Sequence, residues 1–215
     1  MLSPRIRRLK LDYDQMVQKF AGWPLIQVTG TAGMPPEVYR FAYNIKGLFV
    51  SPTGEIRERA QHHLEVNLSL GYPRRAPQCR MLTPVFHPNF DDSTVCIGDF
   101  WAASEGLDDL IIRIGRMIAY QEYNTKSPLN GLAAKWAEQH AKFFPIDARD
   151  IAPPIEKSQP SADSAATQFP GQTSLPQQSS SEEAATALID RNAATNANLG
   201  EGRLPDPWAG RITIE

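Results

Sequence analysis

The chain has 215 residues, of which 41% are hydrophobic and 21% charged, and its formal net charge is −2. This composition excludes collagen-like, coiled-coil and highly charged disordered proteins, and the charge balance gives no footprint for binding nucleic acid or an anionic membrane. Since the chain has no run of about 18 apolar residues and residues 1–10 contain no apolar signal core, we expect a cytoplasmic protein without a membrane span.

The first half of the chain predicts a helix followed by a sheet. Ser3 is placed to cap a helix with Pro4 at its first position, and apolar residues recur at helical spacing until Gly22 and Pro24. Strand character follows in residues 25–31, 38–50, 62–70 and 78–83. The SPTG sequence at 51–54 predicts a hairpin turn, and GYPRRAP at 71–77 predicts a rigid corner. The economical arrangement is a four-stranded antiparallel meander.

Two further helices complete the predicted domain. Residues 84–106 form a long irregular stretch, which a compact domain rarely tolerates unless the loop is functional. Helical periodicity returns in residues 107–120 and 130–143. We therefore predict an α+β domain over residues 1–150, with an N-terminal helix, the antiparallel sheet and C-terminal helices.

The composition changes sharply near Pro153. Residues 151–202 are rich in Ala, Ser, Gln, Thr, Pro and Asn, which predicts a flexible, disordered linker. Large apolar residues return in residues 203–215, where Trp208 lies in LPDPWAGRITIE. This segment is interpreted either as a short motif that docks on a partner, or as a tail that packs on its own domain.

The chain contains only two cysteines, Cys79 and Cys96. Two are too few for a disulfide scaffold or a tetrahedral zinc site, so a functional thiol is expected to be reduced. His62 and His63 point to opposite faces of a predicted strand and cannot jointly bind a metal ion. We expect no metal site and no cofactor.

The irregular stretch contains the sequence PVFHPNFDDSTVCIGDFW, with His87, Pro88 and Asn89 shortly before Cys96. Together with the first helix, the meander, the YPxxxP corner at 72–77 and the later Pro-Leu pair at 128–129, this ordered set resembles the ubiquitin-conjugating enzyme family. The resemblance covers roughly residues 3–145. Each motif is weak alone, but their order and spacing are specific.

The resemblance implies that Cys96 accepts the C-terminus of a ubiquitin-like protein from an activating enzyme as a thioester and passes it to an amine on a target protein. A thioester keeps the acyl group activated, since a thiolate is a good leaving group. Asn89 matches the family's asparagine, which either donates to the oxyanion or braces the loop. Because Pro88 restricts the backbone before it, His87 is interpreted as holding the loop through hydrogen bonds rather than as a base.

The same resemblance implies further site residues. Ser127 stands where many family members carry an acidic residue, and Asp99 is a candidate substitute. On the first helix, Arg5, Arg8 and Lys10 lie where the family engages an acidic surface of the activating enzyme. Each assignment has an alternative interpretation. Asp99 is then an ordinary solvated loop aspartate, and the basic residues of the first helix form a solvated edge of the domain.

Two other functions are consistent with this fold. One is a catalytically inactive scaffold that binds a ubiquitin-like protein, although such variants usually lack the cysteine. The other is a cysteine hydrolase that pairs Cys96 with His87, which is disfavoured because no third residue is available to orient the imidazole. The interval from Asn89 to Cys96 is one residue shorter than in the commonest family arrangement. This shortened loop and the long tail suggest, by analogy, a bacterial family member that works in a small conjugation system.

Overall fold

The computed structural model describes residues 1–97 and 101–154. It begins with helix α1, Pro4–Phe20. Ser3 Oγ accepts a hydrogen bond from the Ile6 N–H at 3.3 Å, and proline at the first helical position loses no hydrogen bond because that N–H has no partner in a helix. Leu9 and Met16 are fully buried on the inner face of α1. The predicted N-terminal helix and its cap are confirmed.

Six strands follow, whose bounds are Ile26–Gly33 (β1), Pro36–Tyr43 (β2), Gly47–Val50 (β3), Ile56–Arg59 (β4), His62–Asn67 (β5) and Gln78–Met81 (β6). Four of them form an antiparallel sheet in the order β1-β2-β5-β6. The predicted four-stranded antiparallel sheet is confirmed.

The predicted strand over residues 38–50 is wrong in one respect, because it is two strands in two different sheets. β2 ends at Tyr43, and β3 pairs instead with β4 in a separate hairpin closed by the predicted turn at 51–54. Between the strands the backbone bonds elsewhere, since the Lys46 N–H donates to Asp147 Oδ2 at 2.9 Å. Gly47 then passes so close to its neighbours that a Cβ would lie 2.8 Å from His62 Nε2.

The C-terminal part of the domain is helical. Helix α2 spans Leu107–Ile118, helix α3 spans Gly131–His140, and a short 3₁₀ helix η1 continues over Ala141–Phe143. The two predicted helices are confirmed, although α2 ends two residues earlier than expected. The reason is Tyr120, whose φ of 57° turns the chain out of the helix.

Two hydrophobic clusters hold these elements together. The larger lies between the four-stranded sheet and helices α1 and α2. The smaller joins the β3–β4 hairpin to α3 and includes Leu48, Phe86, Tyr120 and Trp136. The catalytic stretch predicted from sequence therefore runs between two apolar cores.

The described residues contain no helix that is both long and apolar enough to cross a membrane. Nearly all of the predicted linker over residues 151–202 lies outside the described residues, as does the whole predicted docking motif over 203–215. The bounds of these two segments therefore remain predictions. So do the predicted disorder of the linker and the assignment of Trp208 as a docking residue.

Candidate active site

Most of the irregular stretch is described, and it forms a tight turn ahead of Cys96. A bridge joins Phe90 to Val95, and the Asp91 N–H donates to the Thr94 carbonyl oxygen at 3.1 Å. Asp91 Oδ1 accepts hydrogen bonds from the N–H groups of Ser93 and Thr94, each at 2.7 Å. These bonds, that from Ser93 first, lower the pKa of the Asp91 carboxyl. The short loop is therefore closed by its own aspartate.

This turn places Cys96 opposite Asn89. The Cys96 N–H donates to the Asn89 carbonyl oxygen at 2.8 Å, and the Val95 N–H donates to the carbonyl oxygen of Cys79 at 3.0 Å. Cys96 is half-buried and keeps part of its surface open to solvent. Cys79 is only 4% exposed, and burial raises the pKa of its thiol to about 12. The two thiols thus differ sharply in their access to another protein.

Asn89 is almost fully buried, with 6% of its surface exposed. Its Oδ1 accepts a hydrogen bond from the Asn124 N–H at 2.9 Å. Because the amide oxygen is held by a donor, the orientation of the side chain is fixed and the Nδ2 group points away from that donor. Within residues 1–97 and 101–154, the Nδ2 group makes no hydrogen bond.

His87 is fully buried and uses both ring nitrogens on the backbone. Nδ1 accepts a hydrogen bond from the Asn89 N–H at 3.0 Å, and Nε2 lies 3.2 Å from the carbonyl oxygen of Glu122. A carbonyl oxygen only accepts, so the imidazole is the neutral tautomer with its hydrogen on Nε2. Burial lowers its pKa to about 3. This arrangement leaves no free nitrogen for the base that a hydrolase would need.

The segment after α2 supports the loop from behind, and sequence reasoning did not identify it. The Tyr120 hydroxyl donates to the Phe86 carbonyl oxygen at 2.7 Å, and its ring packs against the His87 ring at a centroid distance of 4.5 Å. Asn124 supplies the N–H that holds Asn89. A left-handed backbone at a bulky residue costs about 1–3 kcal/mol, so the surrounding contacts must hold Tyr120 in place. These contacts span 34 and 35 residues, so no local pattern reveals them.

A second segment holds the same loop at Pro88. The Pro88 carbonyl oxygen accepts hydrogen bonds from the N–H groups of Leu129 at 2.8 Å and Asn130 at 3.1 Å. Asn130 also caps helix α3 through its Oδ1, which accepts from the Ala133 N–H at 3.0 Å. The start of α3 is therefore fixed to the His-Pro-Asn sequence. Ser127, which lies in this connecting loop, is exposed.

The three basic residues predicted to bind a partner differ in their surroundings. Arg5 forms an ion pair with Glu37 at 2.8 Å and donates to two backbone carbonyl groups after β5. Arg8 pairs with the buried Asp12 at 2.9 Å and also donates to the Tyr72 hydroxyl at 3.1 Å.

Arg8 makes further contacts with the loop before α2, because its guanidinium donates to the carbonyl oxygens of Ala103 and Glu105. Lys10, in contrast, is exposed to solvent. Of the three predicted cations, Arg5 and Arg8 are occupied within the domain, whereas Lys10 is accessible.

Two predicted site residues, Asp99 and Trp208, lie outside the described residues. Trp101, the first described residue after Asp99, is held by the rest of the domain. Its indole N–H donates to the Pro73 carbonyl oxygen at 2.6 Å, and its ring lies 6.0 Å from that of Tyr72. Trp101 is thus attached to the corner formed by the YPxxxP sequence.

A family model described as "Ubiquitin-conjugating enzyme" matches residues 31–151. The match covers more than half of the 215 residues, so the chain belongs to the ubiquitin-conjugating enzyme family. Membership assigns it, at the level of the family, to ubiquitin-like protein conjugation, with a ubiquitin-like protein and an activating enzyme as general partners. Among solved structures, "S. cerevisiae Ubc12" matches with 23% identity and a TM-score of 0.48, over 66% of this chain and 73% of that chain.

Proposed function

We propose that this chain carries a ubiquitin-like protein as a thioester on Cys96 and transfers it to an amine of a target protein. The observation that carries the proposal is the pairing of a partly exposed Cys96 with a braced Asn89, through the hydrogen bond of 2.8 Å between their backbones. Family membership supplies the reaction class, and the geometry supports these residues as the ones that perform it.

In the first step, the Cys96 thiolate attacks the carbonyl carbon of the thioester on the activating enzyme. A new C–S bond forms, the old one breaks, and the activating enzyme leaves as its thiolate, which takes a proton from solvent. Exchange between two thiols is nearly balanced in energy, so this step needs access more than it needs a base. The exposure of Cys96 and the burial of Cys79 favour Cys96 as the carrier.

In the second step, the acceptor nitrogen attacks the same carbonyl carbon and negative charge develops on the oxygen. The free Nδ2 donors of Asn89 suit the stabilisation of this charge, while Oδ1 keeps the amide in position through Asn124. The C–S bond then breaks, an amide forms, and the amine proton passes to solvent or to a nearby carboxylate. Asp99 remains the proposed carboxylate.

Lys10 is the accessible basic residue of the three that we proposed for contact with the activating enzyme. Arg5 and Arg8 support this contact indirectly, because they fix α1 on the domain. Arg5 does so through its ion pair with Glu37, and Arg8 through its hydrogen bonds to the Tyr72 hydroxyl and to the loop before α2. The proposed partner surface is therefore the exposed side of α1 around Lys10. We keep Trp208 as a proposed docking residue in the C-terminal segment.

The test is a charging assay with the activating enzyme, ATP and the ubiquitin-like protein. We expect an adduct that thiol reductants remove, a reductant-resistant ester in Cys96→Ser, and no adduct in Cys96→Ala. Cys79→Ala is the matched control and should charge at the wild-type rate, because Cys79 is buried. Full biological activity of Cys96→Ala would contradict the proposal and indicate a non-catalytic scaffold.

A further inference from the structure

A groove of about 390 Å³ lies beside the turn that precedes Cys96. Its volume is at the lower end of the roughly 300–1,000 Å³ typical of ligand sites, which suits a short peptide segment rather than a folded surface. Its apolar walls include Val50, Leu82, Pro84 and Val85, and its charged rim is formed by Asp91 and Asp92. We call it the loop-side groove.

The loop-side groove is built on the segments that hold the proposed active site. Asp91 and Asp92 belong to the turn between Asn89 and Cys96. Asn130 lines the groove as well, and its N–H donates to the Pro88 carbonyl oxygen at 3.1 Å. A segment bound in this groove therefore contacts the same backbone that positions Asn89.

The negative charge of the groove favours a positively charged ligand. Both ionisable residues of its lining are acidic, and in the described part of the chain no lysine, arginine or histidine lines it. The Asp91 carboxylate is kept ionised by the N–H groups of its own turn, while Asp92 is exposed on the rim. Leu82 leaves 43% of its surface open beside them, a large exposure for an apolar side chain. An apolar wall beside a negative rim is complementary to a segment with an apolar residue next to a cationic one.

We propose that the loop-side groove binds the acceptor segment of the target protein, and that it selects segments in which apolar and basic residues flank the acceptor lysine. This inference rests on the proposed function, because an acceptor is needed only if Cys96 carries a thioester. The negative rim also raises the local concentration of amines, which are cationic until they lose the proton that aminolysis requires.

The test measures peptide binding to full-length protein carrying Cys96→Ser, so that it does not depend on charging. Two labelled peptides of equal length share an apolar residue beside one lysine, and differ in having either Arg or Glu next to it. We expect the Arg peptide to bind about two- to fivefold more tightly for each exposed charge pair, with the difference shrinking at high salt. Asp92→Asn should remove most of this preference, and Leu82→Ser should weaken both peptides.

Matched controls separate the groove from a general surface effect. Glu138→Gln removes an exposed acid from α3, and Leu70→Ser removes an apolar side chain that is 87% exposed; neither residue lines the groove. Both variants should bind the peptides as the parent does. Equal binding of the two peptides, or a preference that Asp92→Asn leaves unchanged, overturns the proposal. Binding that appears only when residues 203–215 are deleted would assign the groove to this chain's own C-terminal segment, and would overturn it as well.

A second measurement distinguishes failure of the groove from failure of the proposed function. If wild-type protein forms no thioester, the proposed function fails, whatever the peptides do. If it charges normally but discharges equally fast to both peptides, the proposed function stands and the groove does not select the acceptor.

Discussion

The two polar atoms of the Asn89 amide group differ in their surroundings. Its oxygen is held by the Asn124 N–H at 2.9 Å, so the side chain cannot rotate without leaving a buried polar group unpaired. Its nitrogen has no hydrogen-bond partner in the described part of the chain and remains available as a donor. A brace and an oxyanion donor are therefore compatible roles, because each uses a different atom.

Tyr120→Phe tests whether the position of Asn89 depends on the segment behind it. The change removes the hydroxyl that holds the Phe86 carbonyl at 2.7 Å, one residue before His87, and keeps the ring. We expect the discharge of a preformed thioester to a free amine to slow by about tenfold at saturating amine, since small displacements of an oriented donor are costly. The amine concentration for half-maximal rate and the rate of charging should stay unchanged.

Tyr43→Phe is the matched control for this experiment. Tyr43 is also a buried tyrosine, and its hydroxyl donates to the Ile111 carbonyl oxygen at 3.0 Å within the larger core. Both variants should lose about 1 kcal/mol of stability with one hydrogen bond. If Tyr43→Phe slows discharge as much as Tyr120→Phe does, the effect is one of stability and the positioning role is wrong.

The residues of the site could be predicted only where they lie close together in the sequence. His87, Asn89 and Cys96 fall within ten residues, and their order is recognisable. Tyr120 and Asn124 act on the same loop from more than thirty residues away, through a hydroxyl and a backbone N–H. Any residue type carries a backbone N–H, so its use cannot be predicted from sequence.

At the scale of elements, the two faces of helix α1 differ in their surroundings. Its inner face carries the pair of Arg8 and Asp12, and the Asp12 side chain is fully buried. The Tyr72 hydroxyl also donates to Asp12 at 2.7 Å, which connects α1 to the corner at 71–77. If Arg8 left this pair to bind another protein, the stranded carboxylate would cost about 3–5 kcal/mol. Arg8 therefore has a structural role in the domain, and we propose that recognition of the activating enzyme falls to the outer face of α1.

Lys10→Glu tests the outer face of α1. Lys10 is exposed, so reversing its charge should leave the free energy of unfolding within about 0.5 kcal/mol of wild type. We expect the rate of charging by the activating enzyme to fall several-fold at low salt and to approach wild type at high salt, because long-range steering is screened. Discharge of thioester already formed should not change. Lys135→Glu, an exposed position on α3, is the control, and an equal fall in that variant would remove the assignment to α1.

The helices were predictable because their apolar periodicity and caps are local, whereas the hairpin β3–β4 was not separated from β2. Aromatic, β-branched and other apolar residues recur often enough through residues 38–50 to predict one strand. What interrupts it is Asp147, which accepts the Lys46 N–H from 101 positions away and is itself held by Arg149 at 2.6 Å. The carboxylate that sets this strand break lies far outside residues 38–50, so the sequence of this segment does not identify it.

At the scale of the whole domain, the stretch over residues 86–97, which carries the proposed catalytic residues, joins the two hydrophobic clusters. Phe90, Val95 and Ile97 belong to the larger cluster, and Phe86 belongs to the smaller. His87 lies between them, fully buried. Loosening either cluster displaces the segment that carries Asn89, so stability and transfer are expected to be coupled in this domain.

The two buried histidines, His87 and His62, predict how the stability of the domain depends on pH. Burial lowers the pKa of His87 to about 3 and that of His62 to about 4, from about 6.5 in an unfolded chain. Because the folded pKa values lie below the unfolded ones, these histidines give their full stabilisation above about pH 6.5 and lose it as the pH falls. Between about pH 6 and 5 the unfolded chain binds two protons that the folded chain does not. The free energy of unfolding should therefore drop by about 2–3 kcal/mol across that unit.

Urea unfolding at pH 7.5, 6 and 5, at constant ionic strength, measures this drop above most of the range in which carboxylates titrate. His62→Gln is expected to lower the free energy of unfolding at every pH. It should also halve the slope of the free energy of unfolding against pH, because of the two buried histidines only His87 then takes up a proton on unfolding. The slope serves as the readout, since any core substitution lowers stability but only loss of a buried neutral histidine changes proton uptake. A free energy of unfolding that stays constant from pH 7.5 to 5 would show that the two imidazoles are not held neutral, and the backbone brace assigned to His87 would then be wrong.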